Sequence, residues 1–187
     1  NIMSFWTSTT DTPKRNFRFL ITIGGFDAND VVWFAKSVKV PSFTVGETEH
    51  HFLDNKFYFP GKTSWEEVSM TLVDPASPDA TELTMAILEN SGYSIKKAPP
   101  SVGDGTAATI SKKAAVASGL KSLKIEVLDD LGTAIETWTL NNPFIKSVSF
   151  SDLAYDNEEL RTIDLSIRYD WATCEVGSRG QDDPFFK

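Results

Sequence analysis

From residue 16 onward apolar and polar positions alternate. In "NFRFLITI" (16–23) Phe17, Phe19, Ile21 and Ile23 fall on one side of an extended backbone, with Arg18, Leu20 and Thr22 on the other. A period of two predicts a strand with one buried face. Gly24-Gly25 then permits a turn. Extended structure resumes in "VVWFAKSVKVPSF" (31–43), where Pro41 marks an interruption or a sheet edge. Further strands are predicted at "SWEEVSMTLVD", with Val68, Met70 and Leu72 on one side, and at "LKSLKIEVLDDLGTAIETWTL", which turns at Asp130 to Gly132. "FIKSVSF" (144–150) is a short strand, and the longest alternation sets Arg161, Ile163, Leu165, Ile167, Tyr169 and Trp171 against Thr162, Asp164, Ser166, Arg168 and Asp170.

Two segments break this rhythm. "SPDATELTMAILENSG" (77–92) predicts a helix with Asp79 as N-cap, Glu82 as its capping-box partner and Gly92 as its stop. Leu83, Ala86, Ile87 and Asn90 follow helical spacing, a stripe that is apolar except at its end and suits a helix plugging an open sheet or barrel. Residues 95–119, "IKKAPPSVGDGTAATISKKAAVASG", hold almost no large apolar side chains and read as a long mobile loop. Seven or eight strands with one helix predict a mainly β fold, an antiparallel sandwich or barrel, in a single domain over 1–187 with flexible ends near 1–15 and 175–187.

A hairpin is predicted over 47–59, turning at Asp54-Asn55 and ended by a bend at Pro60-Gly61. It mixes aromatics with charges and, read along the chain, offers no clean apolar face. Exposed Phe52, Phe57, Tyr58 and Phe59 would invite aggregation unless a partner covered them. Such a hairpin suits a subunit that completes its sheet with a neighbour.

Chemistry is sparse. With one cysteine, Cys174, no intrachain disulfide can form, and a reducing, cytoplasmic place of synthesis fits. No long uncharged apolar run predicts a membrane-spanning helix. His50 and His51 are neighbours on a strand, so they point to opposite faces and cannot share one metal. Glu66-Glu67 and Glu158-Glu159 read as solvated charges, and the glycine pairs lack the lysine and helix of a phosphate loop. No catalytic constellation emerges, no cofactor is expected, and an enzyme is not the expected class. The net charge of −8 sets the long-range term against nucleic acid, which disfavours a protein that grasps DNA without disfavouring one that DNA slides past.

The order of these features resembles the tail tube proteins of contractile-tailed, T4-like bacteriophages. The likeness rests on the Phe-rich opening strand "NFRFLITI", the Pro-bearing "SVKVPSF", the aromatic-Pro-Gly bend "FYFPGK" and the strand-then-Asp-Pro passage "VSMTLVDP", followed by the helix, the loop and the closing strands. The resemblance implies hexameric rings stacked into a DNA-conducting tube inside a sheath. It also implies a relation in fold to the haemolysin-coregulated protein of type VI secretion. Implied partners are copies of itself, the sheath protein, and baseplate and terminator proteins. Viral DNA would pass without specific binding, with no insertion into a membrane. The implied location is a virion tail, made in the host cytoplasm. By position, the ring contacts would fall on Glu47, Glu49, His51, Phe52, Asp54, Asn55, Lys56, Phe57 and Tyr58, with the 95–119 loop and the termini. Glu126, Glu136, Asp164 and Asp170 are the candidates for lining the lumen, as strand residues expected opposite the apolar face. The competing readings are a baseplate hub, tube-initiator or tail-end ring protein, and a monomeric β-barrel that binds a small ligand.

Overall fold

The computed structural model describes residues 14–24, 31–32, 35–75, 80–93, 110–156 and 158–176. The elements are β1 (Phe19–Gly24), β2 (Val31–Val32), β3 (Ala35–Val38), β4 (Phe43–Phe52), β5 (Asn55–Trp65), β6 (Val68–Val73), α1 (Ala80–Asn90), β7 (Ser122–Leu128), β8 (Ala134–Asn141), β9 (Phe144–Phe150), β10 (Thr162–Arg168) and β11 (Trp171–Val176). They form a five-stranded sheet in the order β11-β8-β7-β1-β2 and a four-stranded sheet in the order β3-β6-β10-β9. All pairings are antiparallel. The predicted alternations supply the core. Ile21, Ile23, Leu123, Ile125 and Leu140 from the first sheet meet Val68, Met70, Leu72, Ile163, Leu165 and Ile167 from the second in one apolar cluster. The architecture is therefore a β-sandwich, as the period-two pattern implies.

Helix α1 adds Ala80 and Ile87 to that cluster. Its buried positions also include Thr84, whose hydroxyl donates to the Ala80 carbonyl at 2.8 Å, whereas Asn90 is exposed. The proposed cap Asp79 lies outside the described residues. Asp74, at the end of β6, serves the first turn: its carboxylate accepts from the Thr81 N–H at 3.3 Å and the Thr81 hydroxyl at 2.8 Å. Gly92 ends the helix as expected, with φ of 104°. Its N–H reaches the Glu89 carbonyl, and the N–H of Tyr93 reaches that of Leu88.

Three predictions change. Phe17 is 73% exposed in a turn, so β1 starts two residues later than the alternation does. The run from Arg161 to Trp171 is two strands: β10 stops at Arg168, the backbone N–H of Asp170 donates to the Asn141 carbonyl, and β11 joins the other sheet. Period two continues unbroken through this turn, so the crossing leaves no mark in the pattern. The end of the 95–119 segment is helical, at Lys112–Ala114 and Ala115–Gly119, started by the Ser111 hydroxyl accepting from the Ala114 N–H. Its small residues are there for close approach. A Cβ on Gly119 would lie 2.2 Å from Ser91 Oγ on the turn that ends α1.

Candidate assembly surfaces

The third sheet is the β4–β5 ribbon, whose strands pair, among the described residues, only with each other. It is longer than the 47–59 hairpin expected. The pairing runs from Phe43 opposite Trp65 to Phe52 opposite Asn55. Pro60-Gly61 does not end it; both lie within β5, next to a bulge at Gly46. Proline is tolerated in a ribbon whose two strands are both edges, since its missing N–H can face solvent. Gly61 suits the tight packing here: a Cβ would lie 3.0 Å from the Gly46 carbonyl oxygen, so the facing backbone would have to shift. The turn is Leu53-Asp54, one residue before the predicted Asp54-Asn55, and Leu53 takes it with φ of 53°. At the base, the Phe43 and Trp65 rings meet edge-on at 5.2 Å, and Trp65 rests 5.9 Å from buried Tyr169. That contact fastens the ribbon to the sandwich.

Register sorts the ribbon into two faces, contrary to the reading along the chain. Thr48 opposite Phe59, His50 opposite Phe57 and Phe52 opposite Asn55 share one face. Glu47 opposite Pro60, Glu49 opposite Tyr58 and His51 opposite Lys56 share the other. The first is an aromatic surface, with Phe52, Phe57 and Phe59 all about half exposed or more. The second is charged and internally paired, since the Glu49 carboxylate takes Lys56 Nζ at 2.7 Å and His51 Nε2 at 3.0 Å. His50 and His51 lie on opposite faces, as predicted. All nine proposed contact residues are thus exposed on one projecting element.

The four proposed lumen residues do not share a surface. Glu126 is on the outer side of the five-stranded sheet, in register with Leu20 and Thr137. Asp164 is on the outer side of the four-stranded sheet, where Thr71 donates to it at 2.6 Å. Glu136 is a correction. It shares the inward side with Trp138 and Leu140, bonded by Lys14 Nζ and by Trp138 Nε1 at 2.5 Å. Burial alone would raise its carboxyl, but those two donors outweigh burial and hold it below the usual range. Asp170 is a second correction: it sits in the β10–β11 turn, off both sheet faces, held by Lys112 and Asn142.

The outer side of the four-stranded sheet has a composition that sequence reasoning missed. Across it run Ser37, Thr71, Asp164 and Ser149 in one row and Ser69, Ser166 and Ser147 in the next. At its margin the Glu67 carboxylate accepts from Lys146, from Ser166 at 3.0 Å and from Arg168 at 3.1 Å. These donors, Lys146 first, hold Glu67 below the usual carboxylate range. The apolar half of each strand marks the core, whereas the signal for this surface is the hydroxyl-rich other half. The β9–β10 connection is a second missed surface, with Leu153, Tyr155 and Leu160 exposed.

Among the described residues no group of His, Cys, Asp or Glu could hold a metal ion. Cys174 is buried, and burial followed by the Glu136 charge pushes its thiol up, away from a reactive thiolate.

No protein-family model matches the chain, and no curated protein sequence does. Its fold does have counterparts among solved structures. A chain of the anti-feeding prophage baseplate, in a sixfold-symmetrised structure, superposes with a TM-score of 0.64 at 15% identity over 89% of this chain and 97% of that one. The sheath/tube terminator of the PVC extracellular contractile injection system gives 0.61 at 15% identity, over 89% and 99%. A crystal structure of Hcp protein gives 0.50 at 12% identity, over 89% and 97%. At such identities the likeness is one of fold, and this chain has the fold of tube-related proteins of contractile injection systems and of Hcp.

Proposed function

We propose that the chain is a structural subunit of a contractile phage tail tube. Copies assemble into six-membered rings that stack around a DNA channel inside a sheath, between baseplate and terminator proteins. The observation that carries this reading is the β4–β5 ribbon, paired among the described residues only with itself and presenting Phe52, Phe57 and Phe59 on one side. A soluble chain that holds aromatics away from its own core gains by burying them on an identical copy. The sixfold symmetry named for one fold neighbour supports the ring size. The hydroxyl-rich side of the four-stranded sheet is the better lumen wall. Short hydroxyl side chains with the acidic Asp164 among them make few counterion-releasing contacts, and the net charge of −8 repels phosphates as well. Because terminator and baseplate chains share the fold, a protein that forms a single ring is the second reading.

Electron microscopy of the purified chain over a concentration series tests this. Long tubes are expected. Single rings at every concentration favour the second reading, and a monomer throughout refutes both.

A further inference from the structure

The β4–β5 ribbon and the β9–β10 connection leave the four-stranded sheet from opposite ends. The ribbon departs where β3 ends and β6 begins, with Val38 opposite Met70 and Val68 opposite Ile167. At the other end of the same strands Val73 is opposite Thr162, where the chain arrives from β9. The length of β6 sets the two projections roughly 17 Å apart. The ribbon is also held at a fixed angle. At its base the Glu66 carboxylate accepts from Lys39 Nζ at 2.9 Å and from the Ser42 hydroxyl at 3.0 Å, and the Glu66 N–H donates to the Ser42 carbonyl at 2.8 Å. An arm fixed in this way loses little freedom on docking.

Both projections carry apolar surface, and the amounts match. On the connection Leu153, Tyr155 and Leu160 are 82%, 114% and 74% exposed. With about 100 Å² of apolar surface for a leucine side chain and about 200 Å² for an aromatic one, they offer about 350 Å². Phe52, Leu53, Phe57 and Phe59 of the ribbon offer about 400 Å² on the same basis. Interfaces are about 57% apolar, so covering one patch with the other corresponds to about 1,300 Å² in all, the size of a specific complex. Charge decides which surface meets which. Asp152, Asp156, Glu158 and Glu159 are exposed beside the apolar residues of the connection, so two connections would set acid against acid. The aromatic side of the ribbon carries no carboxylate and includes His50. Two ribbons docked on each other would leave the connection bare. On the tube reading above, we propose that the aromatic side of the ribbon seats on Leu153, Tyr155 and Leu160 of an identical copy in the next layer. The contact is head-to-tail, so every copy keeps a ribbon for one neighbour and a connection for the other, and the stack grows without closing on itself.

Complementation between two variants of the full chain tests the proposal. Phe57→Ser/Phe59→Ser removes the ribbon surface and keeps the connection, and Leu153→Ser/Leu160→Ser does the reverse. Each alone is expected to need at least tenfold more protein than wild type to stack, read by sedimentation velocity. An equimolar mixture should form short stacks at concentrations where neither variant does, because the intact ribbon of one meets the intact connection of the other. That recovery also shows that both variants are folded. Stacking by Leu153→Ser/Leu160→Ser at the wild-type concentration overturns the inference and leaves the tube reading standing. A mixture that recovers nothing, from variants that melt as wild type does, overturns it equally. If the double variant melts low, Tyr155→Ser at a fully exposed ring takes its place, with the same expectation and the same refutations. A wild type that stays monomeric at every concentration overturns this inference together with the tube reading.

Discussion

Replacing Phe57 and Phe59 with serine should disable assembly while leaving the subunit folded. Both rings stand on the aromatic side of the ribbon, 48% and 55% exposed. A phenylalanine side chain offers about 200 Å² in all, so the pair leaves roughly 200 Å² of apolar surface for a partner to cover. At about 25 cal/mol per Å², covering it contributes about 5 kcal/mol per contact. Docking also orders side chains and desolvates His50, so about half of that is the net effect expected. At 1.4 kcal/mol per tenfold, the concentration needed for assembly should rise by about two orders of magnitude. Sedimentation velocity over a dilution series reads this directly, with electron microscopy to identify the product.

The folded subunit should hardly notice, because exposed substitutions away from caps and cores stay within about 0.5 kcal/mol. Tyr58→Ser, on the charged side of the same strand, is the matched control and should shift assembly far less. If the double variant assembles at the wild-type concentration, or if Tyr58→Ser is the more damaging change, the aromatic side is not the docking surface.

Other perturbations follow from local geometry. Leu53→Gly keeps the left-handed backbone of the turn and relieves the cost of about 1 kcal/mol that a non-glycine residue carries there, so the free chain should melt no lower, and slightly higher if the turn is cooperative with the fold. Because it also deletes an 85% exposed leucine at the ribbon tip, the assembly concentration should rise about tenfold; a fall would show that the tip does not dock. Gly119→Ala should destabilise by about 1–3 kcal/mol in urea titrations, because its Cβ would meet Ser91 Oγ, and Ser91→Ala in the same chain should recover part of the loss. Tyr169 is buried and its pKa is raised to about 12, through burial first, with Glu66 adding to it against the pull of Arg168. Its contribution is therefore whole below pH 10 and is lost as pH rises through about 12; Tyr169→Phe should remove that alkaline decline, and an unchanged melting profile up to pH 12 would contradict it.

What the sequence showed and hid divides along physical lines. Strands with one buried side were legible, because Val68, Met70, Leu72, Ile163, Leu165 and Ile167 had only to alternate to be found. The helix was legible through its spacing and Gly92, but its buried side also includes Thr84, which satisfies its hydroxyl on its own helix. Long-range bonds were not legible. Asp74 looks like any acid before a proline, yet its side chain is 5% exposed and serves both Thr81 and Arg161, the latter at 3.4 Å. Residues 110–119 failed for the opposite reason: a surface built for close approach needs small side chains, and small side chains read as a loop.

The ribbon shows how a site can be visible and still be misread. Along the chain, "ETEHHFLDNKFYFP" interleaves charges with rings, and neither strand alone settles into one apolar side. A two-residue turn reverses parity, however. Even-numbered residues of β4 share a side with odd-numbered residues of β5, which gathers Thr48, His50 and Phe52 with Asn55, Phe57 and Phe59. A turn at Asp54-Asn55 would have gathered the same three phenylalanines, so the aromatic side did not depend on placing the turn. What the turn decides is which residues meet. With Leu53-Asp54 at the tip, Phe57 faces His50 and Phe52 faces Asn55, so no two phenylalanines are direct cross-strand partners. The rings lie staggered over one side of the ribbon, spread for contact with another molecule and not stacked on each other.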